Sequence, residues 1–385
     1  MSAPELKLAF CLYKYFPHGG MQRAFIRIAK LCLEAGAQVT VFVIQWHGEV
    51  PEGLEIEKFE ATGMFNHTRY ERYQHWLQKR LRREHFDCVV GFNKMPGLDV
   101  YYAADTCYLE KALTARSSLY RSTPRFRHFA AYERAVFEPT ASTRVLMSSP
   151  TQLDVFRRHY STPLDRFHRL PPGIARDRMA AEDAPARRQR GRYSLGIPDD
   201  HLLVLLIGSG FITKGLDRAL DAVGSLPPLL KTKTHLVVIG TDDPRKFLAY
   251  AERLGISERF QVLSGRDDIP DLLQAGDLLI HPAHFENTGN VLLEAIVAGL
   301  PVLTTDVCGF AHYVLDAGAG CVVDSPFRQE NLNRQLASML ASPERADWRQ
   351  RGITFGCAAD VYSLPQRAAE VILEAARDVK QETGA

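Results

Sequence analysis

The chain has 385 residues, 46% hydrophobic and 24% charged, a balance that excludes a disordered or collagen-like polypeptide. Lys and Arg number 47 against 45 Asp and Glu, so a formal charge of +2 supplies no global field toward nucleic acid or membrane. At roughly 100 to 200 residues per domain, the length points to two domains of similar size.

Residues 1–7 show no basic segment leading into an apolar one, and no apolar run reaches the roughly 18 residues of a membrane span, so a cytoplasmic protein is expected. The seven cysteines are odd in number, dispersed and without a C-x-x-C pair, and read as reduced thiols filling cores.

In chain order, the apolar run 6–12 predicts a buried strand and ends in Tyr13-Lys14-Tyr15-Phe16-Pro17-His18-Gly19-Gly20. Ala24, Ile28, Leu31 and Ala35 then recur at helical spacing, and residues 38–44 are β-rich. Strand, glycine loop, helix, strand is the βαβ unit of a parallel sheet. A further strand is expected over 87–92. Residues 171–200, opening with Pro171-Pro172-Gly173, carry no apolar periodicity and read as the domain connection. The rhythm restarts at 202–207, followed by Gly208-Ser209-Gly210, a helix from Gly215, and strands over 234–239, 261–263, 277–281 and 301–304. Ala368, Val371, Ile372, Ala375 and Ala376 predict a closing helix over 368–379. The fold class is α/β with two Rossmann-like domains, 1–172 and 173–365, and a terminal segment 366–385 expected to pack back on the first.

The stretch Glu286-Asn287-Thr288-Gly289-Asn290-Val291-Leu292-Leu293-Glu294 follows an apolar strand ending in His281-Pro282-Ala283. A helix starting near Thr288 or Gly289 places Glu286 in the loop at its mouth and Glu294 inside. The free N–H groups of Thr288 to Val291 then suit a diphosphate. A carboxylate accepts hydrogen bonds from a pair of hydroxyls, so one Glu can hold a sugar and the other a ribose. The bland alternative makes Glu286 a helix cap and Glu294 a solvated residue; the apolar neighbours of Glu294 argue against it, because an unused charge there is costly. Gly208, Gly210 and Lys214-Gly215 form a second strand-to-helix glycine loop, neither a Walker loop nor G-x-G-x-x-G. Gly19 and Gly20 form a third, and ligand clamped between two domains is the expectation. No H-E-x-x-H or D-x-D occurs, and Asp242-Asp243 and Asp267-Asp268 read as solvated loop pairs, so neither a metal nor another cofactor is expected.

Glu286-x7-Glu294 with the Lys214 loop resembles the retaining GT-B glycosyltransferases of family 4. Phe10-Cys11-Leu12-Tyr13-Lys14-Tyr15-Phe16-Pro17, Gly91-Phe92-Asn93-Lys94-Met95-Pro96-Gly97, Leu170-Pro171-Pro172-Gly173-Ile174 and Leu300-Pro301-Val302-Leu303-Thr304-Thr305 resemble the lipopolysaccharide core glucosyltransferase I (WaaG) family over nearly the whole chain. The resemblance implies two domains around a cleft, a UDP-sugar donor and a lipid-linked inner-core heptose acceptor. It assigns Glu294 to the ribose, Glu286 to the donor sugar, Lys214 to the diphosphate and Arg266 to the nucleotide vicinity. Gly19 and Gly20 approach the phosphate, Tyr102 lies at the donor site, and Asp105 orients acceptor or donor. Retention implies that a phosphate oxygen takes the acceptor proton on the face UDP leaves. The family's glucosyl pattern resembles Arg-Lys-Gly and Glu-Ala-Ala-Gly, whereas Thr213, Asn287 and Asn290 stand here, so a UDP-N-acetylhexosamine, GalNAc before GlcNAc, is expected over UDP-glucose. The competing readings are a UDP-sugar epimerase or phosphorylase, a non-catalytic sugar-binding protein and, more remotely, a nicotinamide dehydrogenase.

Between residues 107 and 138, Lys111, Arg116, Arg121, Arg125, Arg127 and Arg134 interleave with Leu109, Leu113, Leu119, Tyr120, Phe126, Phe129, Tyr132 and Phe137. Composition alone fits a solvated helical surface. A lipid-anchored acceptor favours contact with the anionic inner face of the inner membrane. No nucleic-acid module accompanies the segment.

Overall fold

Two all-parallel sheets are built from the apolar runs of the two halves. The computed structural model describes residues 6–17 and 19–383; residues 1–5, part of the 1–7 stretch read above, His18 of the first glycine loop and residues 384–385 lie outside them. The first sheet comprises β1 (Lys7–Tyr15), β2 (Gln38–Trp46), β3 (Leu54–Lys58), β4 (Cys88–Gly91), β5 (Val100–Tyr102), β6 (Arg144–Met147) and β7 (Phe167–Arg169), in spatial order β3-β2-β1-β4-β5-β6-β7. The second comprises β8 (Leu202–Ile207), β9 (Thr234–Ile239), β10 (Phe260–Leu263), β11 (Leu278–His281), β12 (Val302–Thr305) and β13 (Gly320–Val323), in order β10-β9-β8-β11-β12-β13. Both are doubly wound, with the order reversing between β1 and β4 and between β8 and β11. The crevice beyond the carboxyl ends of those strands is where such sheets take ligands.

The chain divides into two units, one running to Gly173 and resuming at Ser363, the other spanning Ile174–Tyr362. Several strands absent from the sequence expectation, β3, β5, β6, β7 and β13, have three to five residues, too few to register a period. The closing helix is longer than its apolar stripe, Leu364–Thr383. Ala368, Val371, Ile372 and Ala375 enter the same core as Phe25, Ile28 and Ala29 of the Gly20–Glu34 helix.

Residues 171–200 are not a bare connection: they contain the Ala184–Leu195 helix, which belongs to the second unit. Its docking is polar and close rather than apolar, which hides it from a periodicity search. Arg188 donates to the Ala275 carbonyl at 2.8 Å and to Asp277 at 2.7 Å, and buried Arg192 donates to His201 O at 2.6 Å and Asp277 at 3.1 Å. A Cβ on Gly191 would stand 2.7 Å from that of Ala275, so the helix must approach through glycine.

The cysteine expectation holds for five thiols only. Cys11, Cys32, Cys88, Cys107 and Cys308 are buried, whereas Cys321 is half-buried and Cys357 exposed. Among the described residues no helix is long and apolar enough to cross a membrane, and no cluster of three or more His, Cys, Asp or Glu is placed to hold a metal ion.

Candidate active site

In the second unit the chain leaves β8 through Gly208, Gly210 and Gly215, with φ of +134°, +81° and +77°. Gly215 starts the Leu216–Gly224 helix, and a Cβ on it would stand 2.0 Å from the Pro282 carbonyl oxygen. Only glycine therefore lets this loop lie against the end of β11. The Thr213 carbonyl accepts from the N–H of His284 at 2.9 Å and Phe285 at 3.4 Å, joining the two loops.

That junction brings Lys214 to Glu286. Lys214 Nζ donates to Glu286 Oε2, His281 Nε2 lies 3.3 Å from the same oxygen, and the Asn287 N–H donates to Oε1 at 3.1 Å. Burial pushes the Glu286 carboxyl upward, but the His281 hydrogen bond and the Lys214 charge outweigh it and hold the group down at about 2.

Gly289, at φ +87°, opens the Asn290–Val297 helix, and no side chain caps it. The helix starts one or two residues later than expected because Thr288 is bound elsewhere: its carbonyl accepts from Phe310 N at 2.8 Å. Glu286 also bridges to Cys308, so the loop after β12 steadies the mouth of the helix. Glu294 is buried within the helix and is no solvated residue; its Oε2 lies 3.8 Å from Arg178 Nε. The structure thus gathers Gly208, Thr213, Lys214, Glu286, Asn287, Thr288, Gly289 and Asn290 around one helix start. Val291 leans into the apolar core beside them. Arg266, after β10, is held by Asp268 through Nε at 2.7 Å and Nη2 at 2.5 Å. Asp242 is no simple solvated loop residue, since it accepts from Gly210 N at 2.5 Å.

In the first unit Gly19 and Gly20 stand at the start of the Gly20–Glu34 helix, again without a side-chain cap. Tyr102 is buried, its ring 5.5 Å from Phe92 and its hydroxyl on Ser148, and burial pushes that hydroxyl up to about 12. Asp105 is exposed in the loop after β5. Lys111 on the Tyr108–Thr114 helix, Arg116 in the bend after it, Arg121 on the Ser118–Ser122 turn and Arg125 and Arg127 on the Pro124–Phe137 helix are all exposed. Phe137 is not part of that surface; it stacks on Phe156 in the core, centroids 3.8 Å apart.

Two residues at the site carry no assignment from sequence. His281 is fully buried beneath Glu286, and Arg178 is buried beside Glu294 with Nε and Nη1 meeting no hydrogen-bond partner among the described residues. A histidine closing an apolar strand five residues before a glutamate is the signal for the first; Arg178 gives no local signal.

Residues 188–355 match the family model described as glycosyl transferases group 1. The chain is 48% identical to the lipopolysaccharide glucosyltransferase WaaG of Escherichia coli strain K12, over 95% of this chain and 98% of the relative. A crystal structure of WaaG, described as a glycosyltransferase involved in lipopolysaccharide biosynthesis, superposes with a TM-score of 0.92 at 48% identity, covering 95% of this chain and 99% of that one. Anabaena HepE in complex with UDP and glucose shares the fold at 17% identity, TM-score 0.75, over 96% of this chain and 100% of that one. The E. coli relative is a glucosyltransferase, which counts against the expectation of an N-acetylhexosamine donor. The geometry gives a reason: Thr213 serves the site through its carbonyl and Asn287 through its N–H, so side-chain changes there are poor gauges of donor size. The epimerase, phosphorylase, sugar-binding and dehydrogenase readings give way as well, for this chain belongs to the WaaG family of GT-B glycosyltransferases.

Proposed function

We propose that the protein transfers glucose, with retention, from UDP-glucose to an inner-core heptose of lipopolysaccharide. The observation that carries this reading is the convergence of Lys214 and Glu286 at the uncapped start of the Asn290–Val297 helix, in a chain so similar to a lipopolysaccharide glucosyltransferase. Lys214 and the N–H groups from Thr288 to Val291 bind the diphosphate and stabilise charge developing on the leaving UDP. Ionised Glu286 accepts from hydroxyls of the sugar, Glu294 accepts from the ribose with Arg178 beside it, and Arg266 borders the nucleotide. Gly208 gives the loop its turn. Asp105 orients the acceptor, whose hydroxyl proton passes to a phosphate oxygen. With charge stabilisation supplied by lysine and helix amides, the transfer is metal-independent.

The enzyme works peripherally at the inner face of the inner membrane. The exposed Lys111, Arg116, Arg121, Arg125 and Arg127 surround Leu119, 80% exposed, and Leu113, 44% exposed, a combination suited to anionic lipid.

The test is UDP release from UDP-glucose, UDP-galactose, UDP-GalNAc and UDP-GlcNAc, each with and without truncated heptosylated lipopolysaccharide and with EDTA present. Acceptor-dependent turnover of UDP-glucose is expected, undiminished by EDTA. Turnover of another donor in preference, or none with the acceptor supplied, refutes the proposal.

A further inference from the structure

The three donors on Glu286 are not equivalent. Lys214 and His281 converge on Oε2, while the Asn287 amide holds Oε1. The proposed reaction needs Lys214 elsewhere, on the diphosphate, and its side chain, 22% exposed, has room to turn. His281 has none: it is 0% exposed, it closes β11 between β8 and β12, and its carbonyl accepts from Thr304 Oγ1 at 2.9 Å. Its Nδ1 meets no hydrogen-bond partner among the described residues, so the ring's one polar engagement there is Nε2 with Glu286. Facing a carboxylate, Nε2 must carry the hydrogen.

From this arrangement we infer that His281 is a positioning residue, whose Nε2–H keeps Glu286 an oriented carboxylate when Lys214 leaves it for the donor diphosphate. The inference rests on the donor-site reading of Glu286 given above. A carboxylate side chain only 12% exposed, stripped of its lysine, would be driven toward protonation by burial. A protonated Glu286 offers fewer acceptor sites to sugar hydroxyls. The His281 and Asn287 donors remain in place and oppose that change. Lys214 is therefore the exchangeable partner of Glu286, and His281 carries the carboxylate through donor binding.

The experiment compares His281→Leu, His281→Gln and Glu286→Ala in the full-length enzyme, reading kcat, donor KM, the pH profile of kcat, melting temperature and stabilisation by UDP. The titratable groups facing Glu286 are Lys214, His281 and Cys308. The Cys308 thiol is pushed up to about 11 by burial and lies outside the acid range. His281→Leu is expected to lower kcat about 10- to 100-fold, the worth of a hydrogen bond to a charged group. UDP stabilisation should persist, and the acid limb should move up toward the ordinary carboxylate range. His281→Gln, whose amide nitrogen reaches the position of Nε2, should recover most of kcat and return the limb to low pH. Should His281→Leu not accumulate as folded protein, His281→Asn, whose amide falls short of Oε2, replaces it with the same expectations. A wild-type kcat and acid limb in His281→Leu would overturn the inference. So would His281→Gln losing as much activity as His281→Leu in step with melting temperature, which marks a packing role. Glu286→Ala separates the two claims: full turnover refutes the donor-site reading and the inference with it. An inactive Glu286→Ala beside an unaffected His281→Leu refutes the inference alone.

Discussion

Lys94 Nζ donates to Glu133 Oε2 at 2.5 Å inside the first unit, where Glu133 is fully buried and Lys94 nearly so. The carboxylate also accepts from Tyr108 N at 2.7 Å, Leu109 N at 2.9 Å and the Tyr160 hydroxyl at 2.7 Å. Lys94 donates in addition to Thr106 O at 2.8 Å. One ion pair therefore caps the Tyr108–Thr114 helix and pins the residue next to Asp105. Truncating either partner leaves a buried charge alone, so Glu133→Ala should cost about 3–5 kcal/mol in denaturant unfolding. The joint Lys94→Met, Glu133→Gln variant should cost less, since neither charge remains.

The same pair carries a pH signature. Burial pushes Glu133 upward, but the Lys94 charge and the hydrogen bonds prevail and hold it below its ordinary 4.5. Its stabilisation is full above 4.5 and is lost as pH falls through the lower folded value. Acid unfolding of Glu133→Gln should accordingly lose this dependence while the wild type retains it.

Lys214→Ala should reduce kcat/KM about 100- to 1000-fold, the scale of removing one preorganised charge-stabilising group. Glu286, held at about 2, stays ionised through the working range, and its contribution to stability is lost only between its ordinary 4.5 and about 2. Activity should thus show no acid limb from Glu286 above pH 4.5. A limb there that vanishes in Glu286→Gln would contradict the assignment.

Gly215→Ala forces a Cβ to within 2.0 Å of the Pro282 carbonyl at φ +77°. The loop must lift from β11, carrying Lys214 away from Glu286, so donor KM should rise and stability fall by about 1–3 kcal/mol. Gly196→Ala, at φ +66° with nothing within 4 Å, is the control and should cost only the left-handed backbone term, about 1 kcal/mol, with KM unchanged.

Vesicle flotation checks the lipid contact. Arg121, Arg125 and Arg127 changed together to Ser should weaken binding to anionic vesicles by about 1 kcal/mol per charge and reduce its salt dependence, with Lys111 and Arg116 retaining the rest, and leave UDP stabilisation intact. Equal binding to neutral and anionic vesicles would refute the contact.

The sequence by itself determined the α/β class, the glycine-bearing βα junctions of the parallel sheets and the glutamate pair. Buried parallel strands are written as continuous apolar runs, and sharp turns need glycine at particular positions. It also held the family resemblance in motifs such as Gly91-Phe92-Asn93-Lys94. It did not disclose the Ala184–Leu195 helix, which docks through arginines and a glycine instead of an apolar stripe. Nor did it disclose that Lys94 meets Glu133 across 39 residues, that Lys214 meets Glu286 across 72, or that Arg178 and His281 stand behind the two glutamates. Those relations were decided by the tertiary structure, because strand order sets which loops meet at a switch point and contacts between distant segments leave no period in the chain.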